Sequence, residues 1–546
     1  MRFSKRMFNE TFVISRFSKS VIEKLHGQVS GCFLFLVTAA FLFTSSVSVH
    51  ADYTAVVNPG SVLVTNFQGW GSSLCWWANV VGGYSNRTNY VDLAFSQLKL
   101  NIVRYNIGGG ENPTNSFLAY RATMPGFEPA NGLWNWNADL NQRWVLQAAR
   151  ARGVNLVEAF ANSPPWWMTV SGSVTGATNS GGANNLQTSY QNSFAAYLAT
   201  VVSNLTVLDG VHFDYVTPMN EPVGTKWVYG NSQEGCDMSA AQQTTVINDL
   251  RATLNTGLPS AGIDASEDVD PYQTVSAIDT YSSTTLNNFA LCTTHTYSET
   301  GASSLASKAK SLGKPLWVSE YGDNDSTGLK MAQRIHDDIT AMGARAWIYW
   351  QFVDSASGWG FLFNPLVAPT NPNFTTSYTI NEKFYAMGQF SEFIRPGCKI
   401  ISVNDNNTLA AYNPTNSTLV LVTVNTNSSN FNVTYNLSNF GSLPWRISVS
   451  QTASGENMAA LSPPIIANQQ FTYAIPARSV TTFALATNTD LTISTISGNA
   501  ARLNWNYGVL QSSTNVAGPY SDVSNAAPPC TILTTNVHQF YRIKEN

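Results

Sequence analysis

Between about residues 66 and 352, eight short apolar runs alternate with amphipathic stretches, and this alternation constrains the chain more than any single motif. The runs are Phe67–Trp70, Asn101–Asn106, Asn155–Phe160, Phe213–Thr217, Gly262–Ala265, Leu291–Tyr297, Pro315–Ser319 and Ala344–Trp350. Helix-like segments such as 88–98, 139–152, 187–203, 239–254 and 326–342 lie between them. Strands that alternate with helices, without hairpin signals, must pair in parallel, and eight of them predict a closed (β/α)8 TIM barrel. An open doubly wound sheet is the alternative. It usually carries a Gly-rich phosphate loop after its first strand, and none is visible here.

From about residue 383 the pattern changes. Thr418–Val424, Phe431–Tyr435, Trp445–Val449 and Ser479–Leu485 are short strand-like runs set between Asn, Ser and Gly turns, the pattern of an antiparallel β-sandwich attached to the barrel. Tyr53–Val57 and Val62–Thr65, before the barrel, are candidates to add strands to it. The resulting division is a catalytic barrel over 52–395, a sandwich over 396–487, and a small C-terminal β unit over 488–546 to which no role is assigned.

Residues 1–51 read as a signal peptide. Six basic residues precede the apolar run Cys32–Phe43, and Val49-His50-Ala51 places small residues where a signal peptidase cuts. The run is short for a membrane span. The expectation is a secreted or exported protein, extracellular or periplasmic, free of the membrane once the signal is removed, and a monomer. Without that segment 23 basic residues face 31 acidic ones, a balance unsuited to a nucleic-acid backbone. Five cysteines remain (Cys75, Cys236, Cys292, Cys398, Cys530), an odd number too dispersed for a disulfide framework, although one or two bridges stay possible. No Cys-x-x-Cys, no His-Glu-x-x-His and no histidine cluster is present, so neither a metal nor a cofactor is expected.

Two glutamates sit where strand-like runs close: Glu221 in Val216-Thr-Pro-Met-Asn-Glu-Pro222, and Glu320 in Leu316-Trp-Val-Ser-Glu-Tyr-Gly322. Burial disfavours a charged carboxylate, so two such placements imply a use. On the strand count they end the fourth and seventh barrel strands, which face each other across the mouth. A pair roughly 5–5.5 Å apart suits glycoside cleavage by double displacement. Glu221, with Asn220 before it and Pro222 after it, fits the acid/base, with a pKa raised by apolar surroundings. Glu320 fits an ionised nucleophile.

The segments Gly69–Ala78, Val103–Gly109, Ala161–Met168, Pro218–Pro222, Trp317–Gly322 and Phe390–Pro396 resemble glycoside hydrolase family 30 in content and in order, across roughly residues 60–485. The resemblance implies a retaining mechanism in a barrel with an attached β-sandwich, Glu221 as proton donor and Glu320 as nucleophile. Within the family, Cys75-Trp76-Trp77 and Gln233-Glu-Gly-Cys236 are most similar to endo-β-1,6-galactanases. The implied substrate is a galactan or arabinogalactan side chain. The rivals are the same chemistry on a β-1,6-glucan, and a non-catalytic carbohydrate-binding barrel, against which both glutamates and Asn220 argue.

Candidate substrate-binding residues complete this expectation. Arg104 is placed to hold the nucleophile ionised. Asn162 is suited either to a sugar hydroxyl or to capping a turn, and Asn220 to the hydroxyl beside the reacting carbon. His295 and Tyr297 alternate on the sixth strand and face inward together. Among the aromatics Trp70, Trp76, Trp166, Trp227, Trp350 and Trp359, each suited to ring stacking or core packing, Trp350 is favoured as a sugar platform and Trp70 is a second candidate. Glu234 is either a hydroxyl selector or a solvated loop carboxylate.

Overall fold

The computed structural model describes residues 52–114, 120–178, 182–224, 226–441, 443–487, 491–496, 500–505, 509–524, 526–533 and 539–544. The expected signal peptide lies outside the described residues. Eight parallel strands close into a barrel: Gly69–Ser73, Ile102–Asn106, Leu156–Phe160, Tyr215–Thr217, Gly262–Asp268, Leu291–His295, Leu316–Tyr321 and Ala346–Tyr349. Closure is by the first strand against the eighth, with Trp70 opposite Trp347 and Gly71 opposite Ile348. The order of strands is that of the apolar runs in the sequence.

Helices cover the outside because each crossover carries an amphipathic segment, such as Leu140–Arg150, Gln191–Asp209, Ala240–Gly257 and Leu329–Met342. Local chemistry sets their ends. Ser239 caps Ala240–Gly257 by accepting from the Gln242 amide, and Asp270 caps Pro271–Ile278 by accepting from the Gln273 amide at 2.9 Å. Gly210 and Gly343 stop their helices in the left-handed conformation that costs glycine least. Inside the barrel, Ile102, Leu291, Trp317, Ala346 and Ile348 form an apolar plug, so the interior is packed core beneath a polar mouth.

The chain leaves the barrel through the helix Glu382–Ser391 and enters a nine-stranded sheet system. Tyr53–Val64 joins that system, antiparallel to Lys399–Val403 and parallel to Phe431–Asn436, so both ends of the barrel's chain are tied into one β layer. Its core is apolar and aromatic, with Tyr435, Phe471 and Phe483 packed ring to ring at 4.8–5.3 Å. The C-terminal unit forms two three-stranded sheets around Leu503, Trp505 and Leu510. All five described cysteines are free. No helix among the described residues is long and apolar enough to cross a membrane.

Candidate active site

Arg104, in the second strand, is fully buried at the centre of the barrel mouth. Such a cation needs anions around it. Its Nε donates to Glu158 Oε1 at 2.9 Å, Nη1 to Glu320 Oε2 at 2.8 Å, and Nη2 to Glu267 Oε2 at 2.5 Å and to Asn220 Oδ1 at 3.4 Å. The guanidinium also lies 4.2 Å from the Phe160 ring centroid. His295 bridges the same set, with Nδ1 3.2 Å from Glu221 Oε1 and Nε2 3.1 Å from Glu267 Oε2. With carboxylates on both ring nitrogens, the imidazolium is favoured despite burial, and the pKa rises to about 10.

Glu320 and Glu221 meet within this frame. One ligating atom each from Glu221, His295 and Glu320 falls within 4.8 Å of the others. Glu320 Oε1 accepts from the Tyr297 hydroxyl at 2.9 Å, while Oε2 takes Arg104. Glu221 pairs with Lys226 Nζ as well as with His295. Both glutamates line a pocket of about 320 Å³ with Asn220, Tyr297, Trp350 and Gln233.

Two expectations about Glu221 need correction. Glu221 does not end the fourth strand: that strand stops at Thr217, and Glu221 lies in the loop beyond it. Its backbone sits at φ 48°, a left-handed conformation costing roughly 1–3 kcal/mol for a residue with a side chain. The loop is held there because Glu221 N donates to Glu267 O at 2.7 Å and Trp227 Nε1 donates to Glu221 O at 2.9 Å. Nor is the Glu221 pKa raised. Burial pushes it up, but His295 and Lys226 outweigh burial and hold it at about 2. Glu320 moves the opposite way, raised by burial and by the Glu221 charge against the pull of His295 and Arg104.

The aromatic candidates separate sharply. Trp350 and Trp359 line the pocket, and Trp76 stands edge-on behind Trp350 at 5.1 Å. Trp70 is a correction: it is 0 % exposed, turned onto Phe67 and Phe390, and its Nε1 donates to Ile394 O at 2.7 Å. It joins barrel to exit helix and cannot reach a sugar. Trp227 is buried beneath the Glu221 backbone, and Trp166 is absent from the pocket wall. Asn162 is buried, donating to Asn106 Oδ1 at 3.1 Å and to Cys75 Sγ at 3.4 Å, and it braces the wall without lining the pocket. Glu234 is neither solvated nor in the pocket lining. It accepts from Gly109 N at 2.8 Å and Asn106 Nδ2 at 3.1 Å, pinning the loop that presents Gln233, and burial lifts its pKa to about 7.

Sequence reasoning missed Glu158, Asp264, Glu267, Arg121 and Lys226. Glu158, Asp264 and Glu267 each place an oxygen within 4.8 Å of the others, a spacing a hard cation tolerates, but Arg104 already bonds two of them. The missing signal was Arg104 itself: a cation buried in a barrel strand requires more than one carboxylate.

Comparison with known proteins fits this geometry. The model for "O-Glycosyl hydrolase family 30" matches residues 54–289. The chain is 34% identical over 480 residues to the endo-β-1,6-galactanase of Hypocrea rufa, covering 80% of this chain and 95% of that protein. The chain belongs to glycoside hydrolase family 30. It is also 24% identical to the exo-β-1,6-galactobiohydrolase of Bifidobacterium longum, over 72% of this chain but only 36% of that much longer protein. Among solved structures, the family 30 subfamily 8 xylanase Xyn30A of Clostridium acetobutylicum superposes with a TM-score of 0.60 at 23% identity. That match covers 79% of this glycoside hydrolase and 99% of the xylanase, and it supports the shared fold of barrel plus β region.

Proposed function

We propose that this glycoside hydrolase is an exported, retaining endo-enzyme that cleaves β-1,6-galactosidic bonds in galactan or arabinogalactan side chains. The observation that carries the substrate is the 34% identity spanning 95% of an endo-β-1,6-galactanase. The mechanism is supported by the carboxylate spacing. Glu221 Oε1 and Glu320 Oε1 lie 3.2 and 3.5 Å from the same His295 Nδ1, a close pair suited to direct attack, whereas an inverting pair stands roughly 6.5–9.5 Å apart to admit water.

In this reading Glu320 attacks the anomeric carbon while Glu221 gives its proton to the departing glycosidic oxygen, leaving a covalent glycosyl ester. Glu221, now a carboxylate, takes a proton from water, the water oxygen bonds the anomeric carbon, and Glu320 is released. Arg104 and the Tyr297 hydroxyl stabilise the Glu320 carboxylate from two sides. Asn220, whose Oδ1 faces Arg104, turns its amide N–H groups toward the hydroxyl next to the reacting carbon. His295 and Lys226 favour the ionised form of Glu221, the reverse of what the first step requires. A sugar filling the pocket excludes water and adds to the burial that pushes the Glu221 carboxyl up, which favours the proton-donating form.

Purified protein is incubated separately with de-arabinosylated arabinogalactan and linear β-1,6-glucan, and the products are resolved by size and anomeric configuration. Short β-galacto-oligosaccharides from the first substrate alone are expected. Cleavage of the glucan alone overturns the substrate, and α-anomers as first products overturn the retaining mechanism.

A further inference from the structure

Beside the catalytic pocket lies a second cleft of about 390 Å³, lined by Pro222, Val223, Gly224, Met238, Tyr272 and Gln273 among others. Two segments build both cavities. Glu221 faces the catalytic pocket while the next three residues wall the cleft, and Val269 faces the pocket while Tyr272 and Gln273 wall the cleft. The cleft therefore flanks the Glu221 side of the site. Under the proposed function, from which this inference follows, Glu221 protonates the departing oxygen, so the leaving chain passes on this side.

The cleft is firmly held. Glu221 N donates to Glu267 O at 2.7 Å, Met238 N to Pro222 O at 2.9 Å, and Val223 N to Asp268 Oδ1 at 3.3 Å, so the loop is fixed on three sides. Asp268 is itself held by the Ser266 hydroxyl at 2.6 Å. Tyr272 is 60% exposed, an aromatic side chain left open beside an active site.

We infer that this cleft binds further sugars of the leaving chain, with Tyr272 stacking on the apolar face of a galactose ring. The axial 4-hydroxyl of galactose leaves one ring face rich in C–H groups, which suits an aromatic platform. A 1→6 link adds a rotatable exocyclic bond, which lets the chain turn from the catalytic pocket into a neighbouring cleft.

The test is kcat/KM of the full-length enzyme, Tyr272→Ala and Tyr272→Phe on β-1,6-galacto-oligosaccharides of increasing length, with the matching gluco series alongside. Wild type is scored first: turnover of the gluco series alone refutes the galactan reading, and the length test then proceeds in that series. Tyr272→Ala is expected to lower kcat/KM by roughly two- to tenfold on the longer oligomers only, with Tyr272→Phe close to wild type. An equal loss at every length, or no loss at any, overturns the inference. Wild-type silence on both series overturns the substrate and the inference together.

Discussion

The barrel mouth and the sandwich core are both buried, and they are built from opposite materials. Arg104, Glu158, Asp264, Glu267 and His295 are all 0% exposed, and Glu221 and Glu320 nearly so. The sandwich buries Tyr435, Phe471, Phe483 and Leu485, and its buried polar residues are uncharged, as in the Thr423–Tyr435 hydroxyl pair at 2.6 Å. Desolvating a charge costs several kcal/mol even after relaxation, as an order of magnitude, whereas apolar burial stabilises at about 25 cal/mol per Å². The mouth is therefore a net expense that the rest of the fold offsets. The charges of the mouth answer to chemistry, the apolar side chains of the sandwich core to packing.

The contrast predicts which substitutions cost turnover and which cost stability. Glu320→Gln should have the largest effect, lowering kcat by roughly 10⁴-fold or more with near-UV circular dichroism unchanged. Turnover within tenfold of wild type would break the assignment of the mouth to chemistry. Glu221→Ala comes next. It should slow substrates with poor leaving groups by about 10²–10⁴-fold and activated aryl glycosides far less in the step that forms the ester. Equal losses on both would remove Glu221 from the acid role. In the sandwich, Phe483→Ala should cost about 3–5 kcal/mol, read from the urea midpoint, with kcat per folded molecule unchanged. A fall in kcat there would show the two regions to be coupled more tightly than their chemistry suggests.

The same contrast explains what the sequence revealed. Strands of the barrel were legible because parallel, doubly covered strands are continuous apolar runs, and the change to short alternating runs marked the sandwich. Glu221 and Glu320 were legible as neighbours because a carboxylate next to such a run stands out. Trp70 was misread for a related reason: a strand covered on both faces does not declare which side chains point to the mouth, and Trp70 points to Phe390. Glu267 was hidden just beyond the run Gly262–Ala265, in Ser266-Glu-Asp268, which resembles a solvated acidic turn until the strand is seen to run through Asp268. Lys226 and Arg121 lie in loops, whose paths periodicity does not specify.

Lys226 carries the smallest predicted effect and the finest distinction. Among the described cations paired with the two carboxylates it is the half-exposed one, whereas Arg104 and His295 are sealed. Its charge favours ionised Glu221, so Lys226→Met removes a force that lowers the carboxyl pKa, and the pair keeps its last proton to higher pH. The alkaline limb of kcat/KM should therefore move upward, by about half to one pH unit given the exposure of the ammonium, while Lys226→Arg leaves it near wild type. The shift should shrink in high salt, because a half-exposed charge is screened and a sealed one is not. An unmoved limb in Lys226→Met would mean that His295 alone holds Glu221 ionised, and the barrel mouth would then set its protonation without help from the solvent-facing loop.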